Sequence, residues 1–437
     1  MKECPVERET LVVRGGTPLR GEVTVSGAKN SVLPLLAACL LSPQPCLLEN
    51  CPRITDVECA LRILEHLGCA VQRDGHRIEV DASHVTDSRV PDPLMRGMRS
   101  SIMFLGAILA RTGQAELTYP GGCELGPRPI DLHLEALKKL GASVEEQGGR
   151  LTCRGKLYGR PIMLAFPSVG ATENVMLAAC TAVGETTLIN AAREPEIVDL
   201  QHFLNAMGAR ISGAGSTVIR ISGVPAQSLH GTSYRVMPDR IEAGTYLMAA
   251  AATGGEVTLR RVQPLHMEAE LAVLERMGLC LTRGVDLLTL RTRGRPAAAG
   301  KVVTGPYPGF PTDLQAVLTG LLTVSQGTSL VVETVFKSRF HHAGELLRLG
   351  ADLHCEGNVC VVQGVERLTG ACLCAADLRG AAGLLVAALA AEGTSRISQS
   401  CYIRRGYEDP EEKIASLGGF VEREWEHGTK EAGLRQA

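Results

Sequence analysis

The sequence predicts an α/β protein of two domains, on three observations: its length, an internal repeat, and two alternating kinds of helix. At 437 residues the chain exceeds one ordinary domain and suits two, each able to bury a full core. Six segments close an amphipathic helix with an apolar residue followed by glycine. They are LRILEHLG, LEALKKLG, HFLNAMG, AVLERMG, ELLRLG and EKIASLG, ending at Gly68, Gly141, Gly208, Gly278, Gly350 and Gly418, 67 to 73 residues apart. Each glycine is placed to take the left-handed turn that closes a helix.

The rest of each unit recurs as well. A short alternating strand follows the glycine, as in CAVQRD, ASVEEQ and ARISGA. The other helix of each unit (VLPLLAACLL, IMFLGAILA, VMLAACTAV, YLMAAAA, LQAVLTGLLTV, GLLVAALAA) is apolar on nearly every face, which predicts burial. A glycine turn and a strand such as TTLINA, EVTLRR or TSLVVE come next. Six buried helices are too many for one core, so the split is three and three. The stretch Tyr234 to Pro238, near the midpoint, is the expected crossover. The strand pair Thr10 to Val25 precedes the first repeat and could join either half. Ligand is expected in the interdomain cleft.

Composition narrows the function. A formal net charge of −2 gives no global basic field for nucleic acid or an anionic membrane. Aromatics, at 3%, are too few for a base-stacking surface. The N-terminal MKECPVERETLVVRGG has acids where an export signal needs an apolar core. The longest apolar stretch, Ser31 to Leu48, is broken by Pro34, Pro43 and Pro45. A cytoplasmic protein is expected. Fifteen cysteines, with no C-x-x-C pair, fit neither a zinc nor a disulfide framework. Reduced thiols are expected, with Cys39, Cys180 and Cys360 as small buried hydrophobes.

Nucleotide-fold fingerprints are absent or broken. Gly213-Ala214-Gly215 lacks a third glycine, and the segment Gly294 to Lys301 has the wrong spacing and Val302 in place of Ser or Thr. His341-His342 with Glu345 reads as a solvated helix start, because adjacent histidines on a helix point apart. YPGGCELGPRPIDLH, Tyr119 to His133, is different in kind. Its glycines allow a sharp turn and leave Cys123 in an exposed loop. The downstream cations Arg128, Lys138 and Lys139 would lower a thiol pKa.

That loop, with Pro120-Gly121-Gly122-Cys123, Gly126, Arg128-Pro129 and Asp131-x-His133, resembles the catalytic loop of the UDP-N-acetylglucosamine 1-carboxyvinyltransferases. The resemblance runs from about Leu11 to Glu424. It is carried further by SGAKN (Ser26 to Asn30), MRSSI (Met98 to Ile102), FPSVGATEN (Phe166 to Asn174), AAREPEIVD (Ala191 to Asp199) and PDRIEAGT (Pro238 to Thr245). YPGFPTDLQ (Tyr307 to Gln315), ETVFKSRF (Glu333 to Phe340), DLR (Asp377 to Arg379) and RRGYE (Arg404 to Glu408) complete it. The resemblance implies an inside-out α/β barrel, or prism, of six βαβαββ units, three per domain. The boundaries then fall at 1–27 plus 236–437 for one domain and 28–235 for the other, which carries the cysteine loop.

It also implies the first committed step of peptidoglycan synthesis, and with it a part in cell-wall growth, shape and division. Phosphoenolpyruvate would give its enolpyruvyl group to the 3-hydroxyl of UDP-N-acetylglucosamine. A small dianion-bearing acid needs several cations, and arginine binds both of its groups bidentately. By resemblance Lys29, Asn30, Arg128, Arg379 and Arg405 hold phosphoenolpyruvate, and Arg339 helps line the cleft. The addition needs an acid for carbon and a base for the hydroxyl; Cys123 is assigned as acid and Asp313 as base, with Lys29 and Arg405 in the catalytic set. Helix capping is the competing role for Asp313.

The nucleotide sugar is assigned to Asn30, Arg99, Arg128, Pro129, Ile130, Asp131, Leu132, Ser168, Val169, Gly170, Asp313 and Val335. No metal or other cofactor is expected, since the arginines supply the positive charge. The expected partners are the two small substrates, with no nucleic acid and no membrane, and the chain a monomer or weak homo-oligomer. Lys337, Tyr402 and Arg404 depart from the family pattern beside residues that match it. Two other readings are a 3-phosphoshikimate 1-carboxyvinyltransferase, which lacks the P-G-G-C loop, and a non-catalytic sugar-nucleotide-binding relative, which would have lost Cys123, Asp313 or Lys29.

Overall fold

A computed structural model describes residues 8–121 and 130–426. Two groups of three buried helices form its centre. Lys29–Cys39, Phe104–Thr112 and Val169–Ala179 belong to one core, which runs from Val32 to Val236. Arg240–Ala252, Gln315–Leu322 and Leu378–Ala390 belong to the other, which draws on Leu11 to Val25 and Ile241 to Val421. Small residues let these helices approach closely. A methyl on Gly320 would lie 2.5 Å from the Gly383 carbonyl oxygen, and one on Gly383 would lie 2.4 Å from that of Ala316. Gly106 is equally tight against Asn174, at 2.5 Å.

The sheets pack outside the helices, six of them among the described residues, five with four strands and one with three. In the three-stranded sheet, Gln114–Thr118, Arg150–Arg154 and Ser143–Gln147, a single parallel bridge Arg89↔Glu116 stands where the others have a fourth strand. All six amphipathic helices close as the glycine pattern predicts. Gly68, Gly141, Gly208, Gly278, Gly350 and Gly418 have φ between 81° and 104°. The next amide in each case bonds back to a buried Leu or Ile carbonyl: Cys69 to Leu64, Ala142 to Leu137, Ala209 to Leu204, Leu279 to Leu274, Ala351 to Leu346 and Gly419 to Ile414.

Both N-terminal strands join the second group. Arg8–Arg14 lies between Thr394–Ser398 and Phe420–Glu426, antiparallel to each, and Arg20–Thr24 runs parallel to Glu256–Arg260. Ser233–Arg235 instead pairs with Cys46–Glu49 of the first group. The chain therefore passes between the groups twice, side by side. Gly27 bridges Pro238, the Ala28 amide donates to Met237 O at 2.7 Å, and the Asp239 amide donates to Ser26 O at 2.9 Å.

Two expectations are corrected. Cys360 is not a free thiol: it forms a disulfide with Cys355, directly opposite it in the hairpin of Asp352–Glu356 and Val359–Gln363. Cys39 and Cys180 are free and buried, as expected. His342 is not solvated. Only His341 is exposed, whereas His342 is buried with both ring nitrogens lacking a partner among the described residues. No helix of the described residues is long and apolar enough to cross a membrane.

Candidate active site

A cavity of about 700 Å³ opens between the two groups of helices, large enough for a nucleotide sugar. Asn30, Arg99, Asp131, Leu132, Ser168, Val169 and Gly170 line it from the first group, and Asp313 and Val335 from the second. Ile130 is buried beneath the start of the helix Asp131–Lys139 and is not part of the lining. Cys123, Arg128 and Pro129 lie outside the described residues.

The predicted cations gather around two carboxylates. Asp56, which the motif reading overlooked, accepts from Lys29 Nζ at 3.0 Å and from Arg405 at 2.9 and 3.3 Å. Burial alone would raise the Asp56 pKa, but the charges of Lys29 and Arg405 more than offset it and hold the carboxyl below its usual range. Asp313 accepts from Arg339 and from Arg379, each at 2.9 Å, and from Asn30 Nδ2 at 3.3 Å. Desolvation again pushes upward, yet Arg379, Arg339 and nearby Lys29 hold this carboxyl far below the carboxylate range. Both Asp313 oxygens are thus committed to guanidinium groups. The helix after it, Gln315–Leu322, has Leu314 at its N-cap and no side-chain cap, so capping is not its role. Four cationic side chains thus converge on two carboxylates at this end of the cleft.

Local structure explains the placement. Lys29 begins its helix where its own amide donates to Asp239 Oδ2 at 3.0 Å, and Asp239 also caps Arg240–Ala252. Arg379 sits in the first turn of a helix capped by Asp377, backed by the Tyr407 hydroxyl at 3.4 Å. Gly406 lets the RRGYE segment pass, since a side chain there would meet Leu378 at 2.7 Å and Lys29 at 3.3 Å. Glu333 accepts from Thr312 Oγ1 at 2.8 Å and from the Val335 amide at 2.7 Å, tying the Asp313 turn to the Val335 loop. Nothing in the spacing of Asp56, Glu333 or Asp377 announces these roles, although the last two fall inside quoted motifs.

The opposite wall is acidic. Glu196 and Arg240 pair across the cleft at 3.0 Å, with Glu173 and Glu194 beside them. Burial, with neighbouring acid charge, pushes Glu173 and Glu194 up and favours their neutral forms. Ser168 caps Val169–Ala179, accepting from the Ala171 amide, and the amides of Val169 and Gly170 have no partner among the described residues. His133 Nδ1 lies 2.7 Å from Asn174 Nδ2, and burial pushes the ring pKa down to about 4. Asn174 also donates to Ile102 O and accepts from the Gly106 amide, so one amide organises three elements of the cleft. Of the departures from the family pattern, Lys337 is exposed, Tyr402 packs on the second core and Arg404 pairs with Glu9 at 3.3 Å.

The EPSP synthase (3-phosphoshikimate 1-carboxyvinyltransferase) family matches residues 13–414. The chain is 50% identical over 412 residues to UDP-N-acetylglucosamine 1-carboxyvinyltransferase 2 of Caldanaerobacter subterraneus subsp. tengcongensis, covering 94% of this chain and 98% of that protein. It is 45% identical over 417 residues to UDP-N-acetylglucosamine 1-carboxyvinyltransferase of Shewanella amazonensis, with 95% and 99% covered. Among solved structures, the enolpyruvyl transferase NikO from Streptomyces tendae superposes with a TM-score of 0.87 at 26% identity, covering 96% of this chain and 100% of that one. EPSP synthase from Acinetobacter baumannii, at 18% identity and a TM-score of 0.73 over 95% of this chain and 100% of that one, shares the fold. A cationic cleft between two helix-centred halves thus coincides with near full-length similarity, and the chain belongs to the EPSP synthase family, on its UDP-N-acetylglucosamine 1-carboxyvinyltransferase branch.

Proposed function

We propose that this enzyme transfers the enolpyruvyl group of phosphoenolpyruvate to the 3-hydroxyl of UDP-N-acetylglucosamine and releases phosphate, as the first committed step of peptidoglycan synthesis in the cytoplasm. One observation carries the reading: Lys29, Arg405, Arg339 and Arg379 converge around two carboxylates beside a cavity of nucleotide-sugar size. Three guanidinium groups and an ammonium so gathered suit a substrate with a phosphate and a carboxylate on three carbons.

In the proposed reaction the acceptor oxygen bonds to the central carbon of phosphoenolpyruvate, while Cys123 gives a proton to its methylene carbon. Asp313 takes the hydroxyl proton. The tetrahedral adduct then loses phosphate from the central carbon, which carries off the proton held by Asp313, while the Cys123 thiolate takes a proton back from the methyl group; the double bond is restored and both residues are reset. Asp313 is a poor base while Arg339 and Arg379 hold it. A substrate carboxylate that takes over those guanidinium groups frees Asp313 and restores its basicity as the acceptor arrives. The same reading divides the chain at 1–27 plus 236–437 and 28–235, supported by the membership of the two cores.

The test is phosphate release from phosphoenolpyruvate by the purified chain. Release that requires UDP-N-acetylglucosamine is expected; release driven by shikimate 3-phosphate, or none with either acceptor, overturns the proposal.

A further inference from the structure

The two halves also meet through a second set of charges, none of which lines the cavity. Glu408, in the RRGYE segment of the second half, is only 5% exposed. Its Oε1 accepts from Arg53 Nε at 2.7 Å and lies 2.7 Å from His76 Nε2, both of the first half. Arg53 also donates to Asp409. Glu408 Oε2 accepts at 3.3 Å from the hydroxyl of Ser26, three residues before Lys29. Burial alone would raise the Glu408 pKa, but the bonds from Arg53 and His76 hold the carboxyl below its ordinary range. Arg53 immediately precedes the turn into the helix Thr55–His66, and His76 stands in the hairpin turn between Ala70–Asp74 and Arg77–Asp81.

The contact is reciprocal. The first half offers Arg53 and Asp56, three residues apart, and the second offers Arg405 and Glu408, also three apart. Arg405 reaches Asp56 while Arg53 reaches Glu408, so each segment gives one cation and receives one. The two crossings are not equivalent. Asp56 belongs to the cation cluster at the cleft, and on the function proposed above Arg405 is one of the groups that take the substrate anion. Its hold on Asp56 is then shared or lost. The Arg53–Glu408 pair lies off the cavity and keeps its bond. A buried carboxylate stripped of its partners is strongly destabilising, so the segment stays seated while Arg53 and His76 cover Glu408.

Resting on that proposed function, we infer that Arg53 and His76 are positioning residues for the reaction: by holding Glu408 across the two halves, they keep Arg405 aimed at the phosphoenolpyruvate site when the substrate draws it from Asp56. They touch no substrate themselves and act only through the four-residue segment that joins Arg405 to Glu408.

Titration calorimetry of the full chain tests this with two probes: UDP-N-acetylglucosamine alone, and phosphoglycolate in its presence. Both side chains are 54% exposed, so neither truncation opens the core. Arg53→Ala and His76→Ala should each weaken phosphoglycolate by roughly 2- to 5-fold, the span of a half-exposed ion pair. The double variant should weaken it by more than either alone, since both partners serve one carboxylate. UDP-N-acetylglucosamine should bind every variant alike. Arg53→Lys and His76→Gln keep a donor for Glu408 and should recover most of the loss. Equal weakening of both probes, weakening of neither, or conservative variants no better than alanine overturns the inference. Absent phosphate release by a wild type that binds phosphoglycolate would strike the proposed function, while the comparison of variants still decides the positioning role.

Discussion

Asp313→Asn separates two effects that removal of a base would ordinarily blend. The Asp313 carboxylate accepts one bond from Arg339 and one from Arg379, each 2.9 Å long. Hydrogen bonds to charged groups contribute about 1.5–3 kcal/mol each, so an incoming anion displaces roughly 3–6 kcal/mol of existing interaction. Asparagine keeps one acceptor oxygen and loses the charge, which leaves about half of that barrier. The remaining half corresponds to a gain of about 10- to 100-fold in affinity at 1.4 kcal/mol per decade. The assay is titration with phosphoglycolate, which carries phosphate and carboxylate but no double bond, in the presence of UDP-N-acetylglucosamine. Tighter phosphoglycolate binding should accompany a loss of turnover of about 100-fold or more. Unchanged or weaker binding alongside lost turnover would show that Asp313 does not compete for the two arginines, and the gating argument would fail.

Cys123→Ala should abolish turnover and stop alkylation by fosfomycin, whereas Cys123→Asp should retain activity and resist the drug; mass spectrometry of the treated protein reads both, and a fully labelled alanine variant refutes the assignment. Gly278→Ala should lower stability by about 1 kcal/mol, because the site is sterically open and only its left-handed backbone (φ +84°) resists a side chain; denaturant melts measure it. His133 should make the protein acid-sensitive. An unfolded histidine takes up a proton below about pH 6.5, but burial and Arg99, only partly offset by Asp131, delay this to about 4 in the fold. Stability attributable to His133 is therefore full above pH 6.5 and falls by about 2 kcal/mol by pH 5. Wild type and His133→Asn compared in urea at pH 7.5 and pH 5 should differ in slope, and parallel slopes would exclude this source.

The parts of the fold that were legible in the sequence are those set by short range. A glycine after an apolar residue dictates a helix end within two residues, and six such ends revealed the repeat. Pairing of Arg8–Arg14 with strands nearly four hundred residues away left no local trace, so alternation announced a strand without naming its neighbours. In the site, the cations stood in recognisable motifs, whereas Asp56 became meaningful only once folding set it between Lys29 and Arg405. His342 was misread because adjacent histidines imply opposite faces, which leaves open whether one face is covered. The Cys355–Cys360 pair was missed because an apolar run suggests burial but does not show that a tight hairpin sets two sulfurs opposite each other.

The strand Arg8–Arg14, held between Thr394–Ser398 and Phe420–Glu426, bears on how the protein is made. On the ribosome this strand emerges with both of its neighbours still unwritten. The Val32 to Val236 core can finish and detach from that problem, since domains fold as units during synthesis. The other half must keep this strand unpaired until residues 394–426 have been made, so a chain released before that point has one sound half and one open sheet.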